Sequence, residues 1–455
     1  MSECTKHRDT ILTLTSIIVA IVIGIMLKNL TPQPWFDRAI MYYQFPGEIF
    51  LRIINCLILP LIVSSIISAS CDLSKSGSIG LKALYYYSTT TILGIILAVV
   101  LTETIRPGEF YSNSDSTLIL NRKFLTVDTF LDILRNLFSD NIVKTCLSQY
   151  QTILLPSENI TEDIHYWKIS HQYNDGVNVL GLVGFSLIVG IAIGCLNDDG
   201  KYLADCFKAL SQATMMMMNG VIRIVPLSIL FLIPGKLLQT ENIQTMLSNL
   251  GMLVITVIVG LLTHSFIVLP LLYFICTRKS PLNIFSKIGP AIITAIGTSS
   301  STATVPMTIK CLDDIGVNPR VSRFTVPIGA TINMDGVALY ETIGAIFLVQ
   351  QRGLHFSLLQ VIALAITCTV SCIGAAGLPN GGYAMLIVVL ESIGIPAEDV
   401  TFIIIIDCFV DRLRTTVNIV TDTFGATIIN HLIENKPDIE LNEVEVNTKM
   451  LAEQD

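Results

Sequence analysis

The stretch "DCFVDRLRTTVNIVTDTFGATII" (residues 407–429) follows an apolar run, "TFIIII", that begins at Thr401. The run reads as the start of a membrane-spanning helix, yet it leads into Asp407, Asp411, Arg412, Arg414 and Asp422. Charge at membrane depth costs several kcal/mol per group unless it is paired or wet. Residues three and four apart share a helix face. Asp407, Asp411, Arg414 or Thr415, Asn418 and Asp422 therefore fall on one polar stripe, while Arg412, Val410, Leu413 and Val417 point elsewhere. An ion-pair network that only fixes helix packing seldom needs so many acceptors on one span. Arg414 offers a planar fork for a carboxylate, Asp411 could hold an ammonium group, and Asn418 and Asp422 are hard oxygen ligands for a cation.

Composition sets the class. The chain has 455 residues, 52% hydrophobic and 14% charged, whereas soluble domains carry charge on about a quarter of theirs. It reads as a polytopic membrane protein. The net charge of −8 resides largely in loops and in the acidic C-terminal stretch "PDIELNEVEVNTKMLAEQD", and no basic run points to nucleic acid. The 11 cysteines form no CxxC pair and read as small buried hydrophobes. The 6 histidines show no metal-ligand spacing. No nucleophile–base pair or nucleotide loop indicates an enzyme.

A span needs about 20 mainly apolar residues, and runs near 11–27, 49–70, 83–105, 176–196, 210–235 and 252–276 qualify. The first reads as a span rather than a signal core. Lys6 and Arg8, Lys75 and Lys82, Lys201 and Lys208, and Arg278 and Lys279 flank alternate spans, which places the N-terminus in the cytoplasm. Residues 106–175 are then an irregular, polar extracellular segment, and "NIT" at Asn159 is a glycosylation acceptor there. A second sequon, at Asn29, lies close to the membrane on the same side.

Beyond residue 284 the apolar segments are interrupted. "GTSSSTATVP" (297–306) and "GAAGLPNGGY" (374–383) are clusters of small residues and proline, each followed about thirty residues later by a polar helix. Paired interruptions point to a transporter's binding site, because non-helical backbone at membrane depth must be buried in protein or line a cavity. We read two re-entrant hairpins, each followed by a spanning helix. The amide-rich tip at Ser300 and Ser301 suits a carboxylate. In "IGATINMDGVALYETIGA" (328–345), Gly329, Asn333 and Gly336 disfavour a continuous helix. An unwound turn there, with Asn333 and Asp335, makes an oxygen-rich site for a cation such as sodium. Its plainer alternative is a kink with a satisfied Asp. Glu341, a carboxyl in an apolar setting, is a candidate proton carrier, or else a packed neutral side chain. Tyr87, Thr90 and Thr91 of "YYYSTTT" (85–91) occupy adjacent turns, where hydroxyls more often bond neighbouring backbone.

"GATINMDG", "DRLRTTVN", "GTSSSTATVP" and "GAAGLP" together resemble the sodium-coupled dicarboxylate and amino-acid symporter family, in its animal excitatory amino-acid (glutamate/aspartate) transporter branch. The resemblance runs from the first span to about residue 435 and includes "FPGEIFLRIINCLILPLIVSSII" and "GLLTHSFIVLPLLYF". It implies an all-α fold of eight transmembrane helices plus two re-entrant hairpins, with inverted repeats and with scaffold and transport domains, assembled as a plasma-membrane homotrimer. The expected boundaries are a cytoplasmic N-terminus at 1–10, spans 1–3 in 11–105, and the start of span 4 with the extracellular loop in 106–175. Spans 4–6 come next in 176–283, then hairpin 1 in 284–319 and broken span 7 in 320–352. Hairpin 2 occupies 357–393, span 8 398–433, and a cytoplasmic tail 434–455.

By motif position, the resemblance implies that the substrate's amino group meets Asp411. Its side-chain carboxylate meets Arg414, and its α-carboxylate meets Asn418 and the tip at Ser300 and Ser301. Thr331, Gly377 and Thr415 complete the substrate set. One sodium is implied at Gly329, Asn333, Asn418 and Asp422. A second falls at Tyr87, Thr90, Thr91, Asn333 and Asp335, and a third at Thr331, Met334 and the backbone of Cys372, Ile373 and Ala375. Glu341 matches the position tied to proton co-transport and potassium counter-transport, and a separate chloride pathway is uncoupled. Departures stand out. Val337 replaces a threonine whose hydroxyl meets the distal carboxylate, a bond worth about 1.5–3 kcal/mol. Cys372 replaces serine, Thr421 a glycine beside Asp422, and Cys408 a tryptophan. Two other uses of the fold are open: neutral amino-acid exchange, which Arg414 disfavours, and a substrate-gated anion channel, to which Val337 and Thr421 leave room.

Overall fold

The computed structural model describes residues 3–30, 35–74, 77–109, 126–155, 167–196, 198–239, 243–354, 356, 358–374, 381–392, 400 and 403–434. Asn159, Ala375, Gly377 and all but the first residue of the expected C-terminal tail fall outside them.

Helices dominate the described residues. They begin with α1 (Glu3–Leu30), α2 (Asp37–Ser74) and α3 (Gly77–Ile105). Short helices α4 (Thr126–Leu137) and α5 (Ile142–Thr145) precede two strands, β1 (Ser148–Leu155) and β2 (Lys168–Asp175). Then come α6 (Val179–Cys195), α7 (Lys201–Ile222), α8 (Val225–Gln239) and α9 (Ile243–Thr263), the last continuing through a π-helical turn, His264–Val268, into α10 (Leu269–Thr277). The second half comprises α11 (Leu282–Lys287), α12 (Gly289–Thr298), α13 (Ser301–Ile315), α14 (Pro319–Ile332) and α15 (Asp335–Gln351). It ends with α16 (Leu358–Gly374), α17 (Gly381–Ser392) and α18 (Ile404–Glu434).

Five helical stretches among the described residues are long and apolar enough to cross a membrane, and a bent pair makes a sixth. That pair, α7 and α8, covers the run expected at 210–235, and the chain turns by 57° between Val221 and Val225. α18 is 31 residues long, but its five charges between Asp407 and Asp422 keep it outside a purely apolar criterion.

The described residues between 126 and 175 carry regular structure where an irregular segment is expected, and they depart from an all-α chain. β1 and β2 form an antiparallel hairpin in register from Ser148 opposite Asp175 to Leu155 opposite Lys168. α4 covers the free edge of β1 with side chains. Asn136 both donates to and accepts from the Tyr150 backbone, each at 2.9 Å. Asp132 accepts from the Thr152 backbone N–H at 2.7 Å and from its hydroxyl at 2.6 Å. The strand is polar in sequence because its partners are helix carboxylates and amides rather than an apolar layer.

Local signals place the elements of the second half. α12 stops where Ser299 turns left-handed, with φ at +49°. Ser300 then caps α13 by accepting from Ala303 N. The two helices fold back on each other and pack against α18. α14 starts at a capped Asn318 followed by Pro319, the position where a missing N–H does no harm. It stops at Asn333 and Met334, whose ψ angles of 76° and 60° are not helical, and α15 begins one residue later. Every residue from Asp335 to Gln350 is buried. A helix apolar all round has to be wrapped, and α3, α9, α16, α17 and α18 all pack on it. α16 and α17 pack against each other as well. One apolar core surrounds α15 and a second lies among α10, α12, α13, α14 and the C-terminal half of α18.

Asp132→Ala removes the acceptors of the Thr152 N–H and hydroxyl. A lost partner of a buried group costs about 1–3 kcal/mol, so amide hydrogen exchange at Thr152 is expected to quicken by about 10- to 100-fold, with exchange in α15 unchanged.

Candidate functional site

Arg414 has no exposed surface. It lies on α18, which reaches the first core through Val410 and Val417 and the second through Ile419 and Phe424. Its Nη2 lies 2.8 Å from Asp411 Oδ1, one turn earlier, and 2.9 Å from Asp407 Oδ1, two turns earlier. The Asp411 contact is a hydrogen bond, whereas the Asp407 contact is an ion pair without hydrogen-bond alignment. The guanidinium carbon stands 4.1 Å from the centre of the Tyr340 ring of α15, a cation–π placement. A Cβ on Gly382 of α17 would overlap the guanidinium, so only glycine lets that helix pass so close. Both carboxylates share one nitrogen, and Nε and Nη1 have no hydrogen-bond partner among the described residues. A guanidinium carries five N–H donors, so this one keeps donors available for a further acceptor.

One turn further, Asn418 Oδ1 accepts from Gly336 N at 2.9 Å. This satisfies an N–H at the start of α15 that no intrahelical carbonyl can reach. A Cβ on Gly336 would stand 2.6 Å from the Arg414 carbonyl oxygen, so α15 starts in direct contact with the α18 backbone. Asn418 is expected as a cation and substrate ligand; here its oxygen also serves as a helix cap.

A further turn along α18, Asn333 Nδ2 donates to Asp422 Oδ1 at 2.9 Å, and Thr90 Oγ1 donates to Asn333 Oδ1 at 3.4 Å. Gly329 lies so close that a Cβ there would overlap the Asp422 carboxylate. Asp422 Oδ2 is buried with no hydrogen-bond partner among the described residues. The C-terminus of α14, with its unsatisfied carbonyls and negative dipole end, therefore sits beside a carboxylate. Two negative poles in a buried space favour a cation between them.

Asp335, the third residue at the break, is held on both oxygens: Thr91 Oγ1 donates to Oδ1 at 2.7 Å, and His264 Nε2 lies 3.1 Å from Oδ2. Its place in the first turn of α15 suits a carboxylate.

Other expected residues stand apart from these contacts. The Tyr87 hydroxyl donates to the Thr325 carbonyl at 2.9 Å. Thr415 Oγ1 returns to the Asp411 carbonyl and Thr331 Oγ1 to the Ile328 carbonyl. Ser300 and Ser301 are buried at the turn between α12 and α13. Met334 is buried at the break, and Cys372 Sγ points to the Cys368 carbonyl at 2.9 Å. Ile373 is helical, in the last turn of α16. Glu341 has no exposed surface, and neither of its carboxyl oxygens has a hydrogen-bond partner among the described residues. Val337 is buried in the first core. The Thr421 hydroxyl bonds the Val417 carbonyl of its own helix at 3.0 Å.

Tyr340, Gly382 and His264 are absent from the sequence-derived site. Gly382 falls within the small-residue cluster at 374–383, and His264 is a polar break in "GLLTHSFIVLP". Tyr340 carries no local signal, since an aromatic residue in an apolar helix reads as core.

Residues 10–432 match the model of the sodium:dicarboxylate symporter family. The chain is similar to excitatory amino acid transporter 3 of Mus musculus, with 39% identity over 98% of this chain and 88% of the relative. It is similar to the human protein of the same name at 38%, over 96% and 87%. Human excitatory amino acid transporter 2 is 37% identical, over 95% and 80%.

A side chain forced against the α18 backbone at Gly336 overpacks the site, at a cost of about 1–3 kcal/mol. Gly336→Ala is therefore expected to lower the melting temperature of the purified protein, while Gly297→Ala, whose Cβ meets nothing within 4 Å, leaves it unchanged.

Proposed function

Since the chain belongs to the sodium:dicarboxylate symporter family, a family of transporters rather than enzymes, we propose that it carries glutamate and aspartate into the cell. Transport is secondary-active, coupled to sodium and a proton and reset by potassium counter-transport. The multi-pass chain forms eight spans and two re-entrant hairpins, α12–α13 and α16–α17, within a plasma-membrane homotrimer whose termini are cytoplasmic. A transport domain moves elevator-fashion against a scaffold, and chloride passes uncoupled.

One observation carries the choice of cargo: Arg414 is fully buried, and among the described residues Nε and Nη1 have no partner while two carboxylates crowd Nη2. The side-chain carboxylate of an acidic amino acid completes that fork with charge-assisted hydrogen bonds. Its ammonium group faces Asp411, and its α-carboxylate takes Asn418 and the hairpin tip at Ser300 and Ser301, with Thr331, Thr415 and Gly377 enclosing it. A neutral cargo leaves the two guanidinium nitrogens uncompensated, at a cost that buried groups do not bear lightly.

Sodium is cargo here. Asp422, Asn333, Asn418 and Gly329 hold one ion beside the C-terminus of α14. Asp335, Asn333, Tyr87, Thr90 and Thr91 hold another, and Thr331, Met334 and the backbone of Cys372, Ile373 and Ala375 a third. Glu341 carries the proton and gives way to potassium. Asn418 belongs to both the substrate and a sodium set, so each ligand raises the affinity of the other by the same factor.

The test is labelled aspartate uptake by the purified protein in sealed vesicles, with sodium, potassium and pH varied independently. Accumulation down an inward sodium gradient is expected, and its absence would reject the reading. Arg414→Cys is expected to lower aspartate transport efficiency by more than about 100-fold, the loss of two charge-assisted bonds at about 1.5–3 kcal/mol each, and to shift preference to neutral amino acids. Asp422→Asn is expected to raise the sodium concentration for half-maximal uptake by about tenfold, with the same amount of protein at the membrane.

A further inference from the structure

His264 is buried without exposed surface at the first position of the π-helical turn that joins α9 to α10. A single π turn winds one extra residue into a helix, rotates the faces of the next turns and recurs at functional sites. Here the turn leaves Phe266 and Ile267 outward, at 61% and 60% exposure, and His264 inward. The ring reaches α15, where Nε2 lies 3.1 Å from Asp335 Oδ2. An ionised carboxylate only accepts, so Nε2 carries the hydrogen of that bond. Thr91 of α3 donates to the other oxygen at 2.7 Å. Three separate elements thus converge on one carboxylate, and each oxygen has its own donor. α3 passes beside the ring at Gly94, where a Cβ would stand in ordinary contact with His264 Cε1 at 3.4 Å. Nδ1 is buried with no partner, so the imidazole has one polar engagement among the described contacts, the one with Asp335.

We infer that His264 is a positioning residue for cation binding, fixing the plane of the Asp335 carboxylate so that its remaining lone pairs face the break at Asn333 and Met334. Outer partners of this kind orient a ligand that itself touches the ion, and their loss typically weakens cation binding 10- to 100-fold. The inference rests on the proposed sodium role of Asp335, and two readouts keep the questions apart.

The full-length purified protein is titrated with sodium in two assays, labelled aspartate uptake in sealed vesicles and melting temperature in detergent without amino acid. His264→Leu and His264→Asn, the second withdrawing the donor while staying polar, are expected to raise the half-effective sodium concentration in both assays by about tenfold. Half-saturating aspartate at saturating sodium stays as in the unaltered protein. His264→Gln, whose amide nitrogen extends to roughly the place of Nε2, restores the original sodium response. Unchanged sodium dependence in the Asn variant overturns the inference, even if the maximal rate falls, since that is the mark of a packing role alone. A Gln variant shifted as far as the Asn variant overturns it too. If the unaltered protein shows sodium-dependent melting but no uptake, the transport reading fails and the melting titration still decides the role of His264.

Discussion

A guanidinium cannot be dehydrated alone. Arg414 has no exposed surface, so the chain around it must supply countercharge, and it does so from the same helix through Asp407 and Asp411. That choice ties the ion cluster to the local geometry of α18 rather than to a chance meeting of distant segments. It also dictates the surroundings. A helix with this load cannot face lipid, so α15 lies against it and contributes the Tyr340 ring, while α17 comes close enough that only glycine fits at 382. Breaking such a cluster by removing one partner is costly. It is left incomplete among the described residues, with Nε and Nη1 lacking a partner, and the proposed acidic cargo would supply the missing acceptor.

The break between α14 and α15 is the second consequence of burying polar groups. Backbone that leaves the helix at Asn333 and Met334 must find partners inside the protein. It finds them on α18 and α3: Asn418 caps the new helix, Asp422 holds the Asn333 side chain, and Thr91 holds Asp335. The anion-seeking and cation-seeking groups therefore alternate along one face of α18, about three turns from end to end between Asp411 and Asp422. Asn418 stands between them and touches the start of α15. In the proposed transport reading, ligands on either side would press on the same residue and the same helix end, which is a physical route for one to favour the other.

Much of this is legible from spacing. Steps of three and four put Asp407, Asp411, Arg414, Asn418 and Asp422 on a single stripe, and helix geometry does the rest. "GATINMDG" signals an interruption because Gly329, Asn333 and Gly336 each weaken a helix. The same reasoning falls short between 106 and 175, where β1 is too polar to read as a strand. Its partners are the α4 side chains Asp132 and Asn136, which hydropathy does not weigh. It also falls short at 210–235, where an apolar run is bent by 57°.

Composition and near-neighbour spacing were enough to specify the class of the molecule, the polar stripe of α18 and the helix break before Asp335. Each of these depends on residues close to one another along the chain. Packing chose which of those polar groups meet. It set Tyr340 over Arg414, Gly382 beside it, Gly329 against Asp422 and His264 on Asp335, pairs distant in sequence or set by the phase of a π turn. Local periodicity holds no record of such meetings; they arise when helices pack and every buried donor must find its acceptor.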